Sequence, residues 1–341
     1  MLDFSPWINL PLIWGGLIAT AVFLYVVLDG FGLGCGILFP FAPSNECRSR
    51  MMNSVTPFWD ANETWLVLGG AGLFVAFPAA YTILFPALYI PLIIMLLGLV
   101  FRGVAFEFRF KASSPRQQKI WDVSFHAGSL TAAFMQGVAL GNFVQGVEVV
   151  GRNYAGGPLD WANGFAMLCG ISVVFGYALL GATWLILKTE GQTQDWARAV
   201  ARYVMFYVAL AMVIVSISMP FVDNRVLEIW FSDTSPYVIF AIPALTTVAF
   251  IKLWLDLNDS RKEARPFILS ITLFTLGYSG LAISLYPWIV PFHFTIWDAA
   301  AHPASQSLSL VGTAIFLPII LMYTGYCYYV FRGKATHESL Y

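Results

Sequence analysis

The sequence predicts an all-α polytopic membrane protein with nine transmembrane helices, its N-terminus outside and its C-terminus inside. Three observations carry this. Of its 341 residues, 59% are hydrophobic and only 11% are charged, with a mean hydropathy of +0.73, whereas a soluble domain carries roughly 25% charged residues. The apolar residues fall into nine runs, each long enough for the ~20 residues that a membrane helix needs. The basic residues alternate between the breaks as the positive-inside rule demands.

Taken in order, the runs cover about 10–39, 52–77, 81–108, 118–148, 161–188, 199–220, 237–256, 266–290 and 306–332. The breaks are short and rich in turn residues, such as FAPSNECRSR, KASSPRQQK and YAGGPLD. No soluble domain interrupts them, so 1–341 reads as a single transmembrane domain. The first run follows MLDFSPW, which has neither a basic n-region nor a small-residue cleavage site, and is expected to be a retained helix. With the N-terminus outside, 15 of the 18 Lys and Arg residues fall on the inner side. Arg152 and Arg225 fall outside, and Arg102 lies within the third run.

The net charge of −1 identifies no partner, and nothing points to nucleic acid. Cys35, Cys47, Cys169 and Cys327 form no C-x-x-C pair and are expected to be small buried residues. Gly30–Gly34, Gly32–Gly36 and Gly137–Gly141 have the spacing that lets helix backbones approach, and generic close packing accounts for them.

The second run, read from Thr56 to Pro78, carries Asp60 and Glu63 between Trp59 and Trp65. Acids at membrane depth are costly and are usually paired or used. A rise of ~1.5 Å per residue puts Asp60 ~12 Å and Glu63 ~16 Å from the inner end of their run. Asp29 then lies ~15 Å, Arg102 ~9 Å and His126 ~12 Å from theirs, with Glu107 at the rim. Four successive helices thus bring ionisable groups into one inner layer. Arg102 is expected to pair with Asp60 or Asp29, because an unpaired buried guanidinium is very costly. Three acids against one fixed cation leave excess carboxylate, which suits a proton path as well as it suits a structural polar core.

His126 is the single histidine inside a run, and a core histidine accounts for it better than a ligand. His293 and His302, with Asp298, lie in one outer loop, and His337 is in the tail. Facing histidine pairs for a transmembrane haem are missing, so this chain is expected to bind no haem or metal on its own.

Five motifs, LDGFGLGCGIL at 28–38, WDANETWLVLGGAGLFVAFP at 59–78, FRGVAFEFR at 101–109, GVALGNFVQGV at 137–147 and TIWDAAA at 295–301, together resemble subunit II of the cytochrome bd ubiquinol oxidases. The resemblance runs over nearly the whole chain. It implies two four-helix bundles plus one helix, a periplasmic N-terminus and a bacterial inner-membrane location. It further implies a haem-bearing subunit I as partner, carrying haem b and haem d, which oxidises quinol and reduces oxygen to water with protons from the cytoplasm. By motif, Asp60 matches the family's proton-path acid, Trp65 a tryptophan near an oxygen entry route, and Asp29 the acid of the LDG element. Glu63 joins Asp60 and Asp29 as a proton-path candidate, while Arg102, Glu107 and His126 read as charge partners or structural groups. The resemblance also admits a small single-helix accessory subunit, a structural quinone and bound membrane lipid. Two other readings stay open at this point: a proton-coupled transporter, and a purely structural subunit whose acids only balance Arg102.

Overall fold

A computed structural model describes Phe4 and residues 7–231 and 236–336; His337 lies outside the described residues. The chain is built from helices α1 (Leu10–Leu28), α2 (Gly30–Leu38), α3 (Asn45–Asn53), α4 (Trp59–Ala76), α5 (Pro78–Ala87), α6 (Tyr89–Phe108) and α7 (Pro115–Gln145). After a hairpin of β1 (Val149–Val150) and β2 (Asn153–Tyr154) come α8 (Gly164–Lys188), α9 (Gln192–Val222), α10 (Asn224–Phe231), α11 (Pro236–Leu257) and α12 (Ala264–Leu285). A second hairpin, β3 (Trp288–Val290) with β4 (Phe294–Thr295), leads to α13 (Pro303–Val330). Among the described residues seven helical stretches are long and apolar enough to cross a membrane. The chain is a multi-pass membrane protein.

Helices α1 and α2 form one run through Asp29, whose N–H bonds Tyr25 and whose carbonyl receives Leu33 N–H, both at 2.9 Å. Every residue of α2 is buried, packed against α7 and α8. Glycine permits this: a Cβ on Gly34 would run into the Tyr177 carbonyl, and one on Gly181 into the Gly34–Cys35 backbone. Gly137 and Gly141 do the same for α7 against Cys169 and Ala166 of α8.

The second apolar run differs from the sequence expectation. The helix begins at Trp59, not near Met52, because Pro57 has no N–H to offer the Asn53 carbonyl. Residues 54–58 form a buried turn that folds under the bundle. Trp184 Nε1 donates to the Ser54 carbonyl at 3.3 Å, and Cys327 Sγ to that of Pro57 at 3.2 Å. In the third run the helix starts at Pro78 and is interrupted at Leu88, where Pro91 removes the donor for the Ala87 carbonyl. In the eighth the helix ends at Leu285, and Trp288–Val290 form β3. Helix α9 begins at Gln192, seven residues before the apolar run, because its polar first turns continue past the apolar layer.

Basic residues gather at one end of the bundle, where they satisfy carbonyls that helix C-termini leave open. Lys188 Nζ donates to Phe331 and Gly333, and Arg198 donates to the carbonyls of Asp256, Asp259, Ser260 and Lys262. Lys334 Nζ reaches the Thr189 carbonyl at 3.1 Å and Glu263 at 2.8 Å, and Ala335 N–H bonds the Lys188 carbonyl at 2.7 Å. The segment after α13 is thereby tied to α8 and α12.

Hydrogen bonds from Lys334 and then Gln194 hold the Glu263 carboxyl below the usual carboxylate range. A depressed acid stabilises the fold above its ordinary range, and that contribution is lost as the pH falls through the depressed value. Glu263→Gln is therefore expected to raise hydrogen exchange at Ala335 by about two- to fivefold at pH 7, the range of an exposed pair. The difference from wild type should vanish in acid. Equal exchange at pH 7 would show that Glu263 does not hold the tail.

Candidate functional site: a buried arginine between two carboxylates

Helices α1, α4 and α6 converge on the Arg102 guanidinium, which is 0% exposed. Its Nη1 donates to Asp29 Oδ2 at 2.7 Å and its Nη2 to Oδ1 at 2.5 Å, a bidentate pair with a fully buried partner. A Cβ at Gly32 would stand 3.0 Å from Nη2, so glycine makes room for the guanidinium. Glu63 Oε1 lies 3.8 Å from the same Nη1, close enough for an ion pair but too far for a hydrogen bond. The Glu63 side chain is 27% exposed, yet Oε1 itself is buried without a hydrogen-bond partner among the described residues. Arg102 thus saturates one carboxylate and leaves the other loosely held.

Of the layer read from the sequence, the structure brings Asp29, Arg102 and Glu63 together. Arg102 lies six residues, ~9 Å, from the end of α6, and Glu63 is level with it. Asp60 is the second residue of α4, one turn nearer the basic end, and is exposed. Of the two partners expected for Arg102, the structure takes Asp29. Glu107 is exposed and lies 3.9 Å from Lys111, just past the end of its helix. His126 Nδ1 stands 3.1 Å from the Gly36 carbonyl, and its ring meets Phe41 edge-on. Neither joins Arg102. Trp65 is buried against Ala21 and Tyr25, and its indole N–H has no acceptor among the described residues.

Several polar residues that carry the site escaped the sequence reading. Asn62, fully buried, donates from Nδ2 to the Leu28 carbonyl at 2.8 Å and accepts from Tyr328 O–H at 3.1 Å. Tyr177 O–H donates to Gln136 Oε1 at 2.7 Å, and Gln136 Nε2 donates to the Tyr25 oxygen at 2.9 Å. Tyr25 is one helical turn from Asp29. Closer to the basic end, buried Arg109 pairs with Asp122 at 2.5 Å, donates from Nη1 to Ser49 Oγ at 3.1 Å, and lies over the Phe39 and Phe110 rings. Polar residues inside spans, and an acid and an arginine at facing helix ends, were the available signals.

The family model for cytochrome bd terminal oxidase subunit II matches residues 10–331. The chain belongs to the cytochrome bd terminal oxidase subunit II family. It is 28% identical to cytochrome bd-I ubiquinol oxidase subunit 2 of Escherichia coli, with 100% of this chain and 98% of that one covered. It is 30% identical to cytochrome bd ubiquinol oxidase subunit 2 of Bacillus subtilis, covering 96% and 97%. The bd oxidase structure from Geobacillus thermodenitrificans shares the fold, with a TM-score of 0.72 at 17% identity over 95% of this chain and 99% of that one.

The family implies haems, so the donor set of this subunit II chain bears on where they sit. Among the described residues, no group of three or more His, Cys, Asp or Glu could hold a metal. Among the described residues His126 is the one histidine within a helix, and its Nδ1 already meets a backbone carbonyl. These residues do not fit a bis-histidine haem.

Proposed function

We propose that this chain serves, in a bacterial inner membrane, as the haem-free subunit II of a quinol-oxidising, oxygen-reducing complex, and that it delivers protons from the cytoplasm through Asp60 and Glu63. Haems b and d on the partner, subunit I, would supply the oxygen chemistry. With α4 and α7 added to the seven strongly apolar stretches the span count becomes nine, and the basic end is the cytoplasmic end.

The observation that carries the proton reading is the 3.8 Å gap between Glu63 and a guanidinium already committed to Asp29. A carboxylate bonded on both oxygens to a buried arginine cannot take up a proton without breaking the pair. Glu63 can, because its buried oxygen has no bond to lose. Asp60 is the entrance, one turn nearer the cytoplasm. Asp29 fixes Arg102, and Arg102 in turn sets the field at Glu63.

The exposure of Asp60 supports a partner seated against α4. Residues 60, 64, 67, 71 and 74 are all exposed and form one stripe along α4. A carboxylate on a stripe bathed in lipid is costly. A protein surface over the stripe removes that cost and receives the proton.

The test uses the assembled oxidase in proteoliposomes. Glu63→Gln and Asp60→Asn are expected to keep haem content and to slow proton uptake and oxygen consumption about a hundredfold or more, the range for a lost proton-transfer group. Normal rates and a normal pH profile in both variants would sink the reading.

A further inference from the structure

We infer that Asn62 and Tyr328 are positioning residues that hold Glu63 at its distance from Arg102, so that α13 sets the readiness of the proton-carrying carboxylate. The inference rests on the proton reading of Glu63 above. Its basis is one chain of contacts. Asn62 immediately precedes Glu63, and its Nδ2 bonds the carbonyl of Leu28, which immediately precedes Asp29. The two carboxylates that flank Arg102 are therefore registered to each other by the amide between their neighbours. The amide has no freedom of its own, because Tyr328 O–H occupies Oδ1.

Tyr328 grips α4 twice. Its ring stacks on Phe58, one helical turn before Asn62, with centroids 4.4 Å apart and an interplanar angle of 21°. Cys327, the preceding residue, donates to the Pro57 carbonyl. Only five of the 28 residues of α13 are buried, so this grip on residues 57–62 is where a shift of α13 passes into the site. With the hydroxyl removed, the amide can turn, the α1–α4 register loosens, and Glu63 is free to close on Arg102 Nη1 or move away from it. Either change alters its proton affinity, because the interaction with a cation depends steeply on distance in a poorly solvated site. The titratable and charged groups around Glu63 are Asp29 and Tyr25 from α1, Arg102 from α6, Tyr328 from α13 and Asp60 on its own helix. Of these, Tyr328 alone acts through Asn62.

The experiment measures proton uptake against pH in the assembled oxidase for Tyr328→Phe, Phe58→Leu, Glu63→Gln and the double variant Tyr328→Phe/Glu63→Gln. Tyr328→Phe keeps the aromatic stack and removes only the hydroxyl, so it is expected to assemble. It should slow uptake about threefold to tenfold, less than a ~1 Å misplacement of a reacting group can cost, and displace the pH midpoint by about half a unit or more. Phe58→Leu disturbs the packing and leaves the hydrogen bonds, so it should leave the midpoint in place. The double variant should be no slower than Glu63→Gln alone. An unmoved midpoint in Tyr328→Phe, or an additional slowing in the double variant, overturns the inference while Glu63→Gln stays slow. If Glu63→Gln itself is normal, the proton reading fails and this inference falls with it.

Discussion

Arg102→Leu is expected to destabilise the chain by about 3–5 kcal/mol, the cost of breaking a buried ion pair from one side. Asp29 has no exposed atom, and both its oxygens are bonded to the guanidinium. Without Arg102 it is a buried acid stripped of both of its hydrogen bonds. Glu63 makes matters worse, since a second carboxylate then faces the first across the space that the guanidinium filled. The loss should show as a low yield of assembled oxidase and a lower temperature of inactivation. The double variant Asp29→Asn/Arg102→Leu removes both ends of the pair and should recover more than half of the lost stability, because replacing a whole buried pair is often close to neutral. Wild-type yield in Arg102→Leu would mean that the pair does not support the fold. Recovery of yield in the double variant, with proton uptake still slow, would separate the stability of this layer from its conduction.

The layer itself was legible in the sequence because helices rise at a fixed rate, so counting residues from the end of an apolar run gives depth. Direction around the helix was not. Asp60 and Glu63 are three residues apart and share a side only approximately, since three steps of 100° leave them 60° apart. That angle separates a carboxylate facing Arg102 from one facing outward. The start of α4 was misplaced for a different reason. Met51, Met52, Val55 and Phe58 are apolar because they are buried beneath the bundle, and hydropathy does not distinguish that from crossing a membrane. Pro57 was the local signal that the helix could not run through. The same confusion extended the eighth run into β3, where Trp288, Ile289 and Val290 pack in a hairpin. Asn62 was overlooked between two more conspicuous acids, although a buried amide needs partners as surely as a charge does. Lys188 and Arg198, two of the basic residues from which the topology is read, are also structural groups, bonded to backbone carbonyls beyond their own helices.

Gly34→Ala should be among the most damaging single-methyl changes in the chain. The added Cβ would overlap the Tyr177 carbonyl oxygen of α8, with the Gly181 N–H only 2.8 Å away. Flexible side chains can turn aside, but these are backbone atoms inside a helix whose hydrogen bonds fix their place. Relief requires α2 and α8 to separate. Neither is free to do so, because every residue of α2 is buried and Gly181 meets the Gly34–Cys35 backbone from the other side. The expected cost is about 3 kcal/mol or more, at or beyond the upper end for overpacking. It should be read as loss of assembled complex and a lowered inactivation temperature. Gly16→Ala is the matched control: it lies inside α1 and no atom is within 4 Å of its added Cβ, so its stability should be equal to or higher than wild type, by up to about 1 kcal/mol of helix propensity. The two substitutions have the same effect on intrinsic helix propensity, so any difference between them reports contact between helices. Equal stability would mean that α2 can shift away from α8. In that event the Asp29–Arg102 pair should change too, since Asp29 directly precedes α2 and any displacement of the helix carries its carboxylate along.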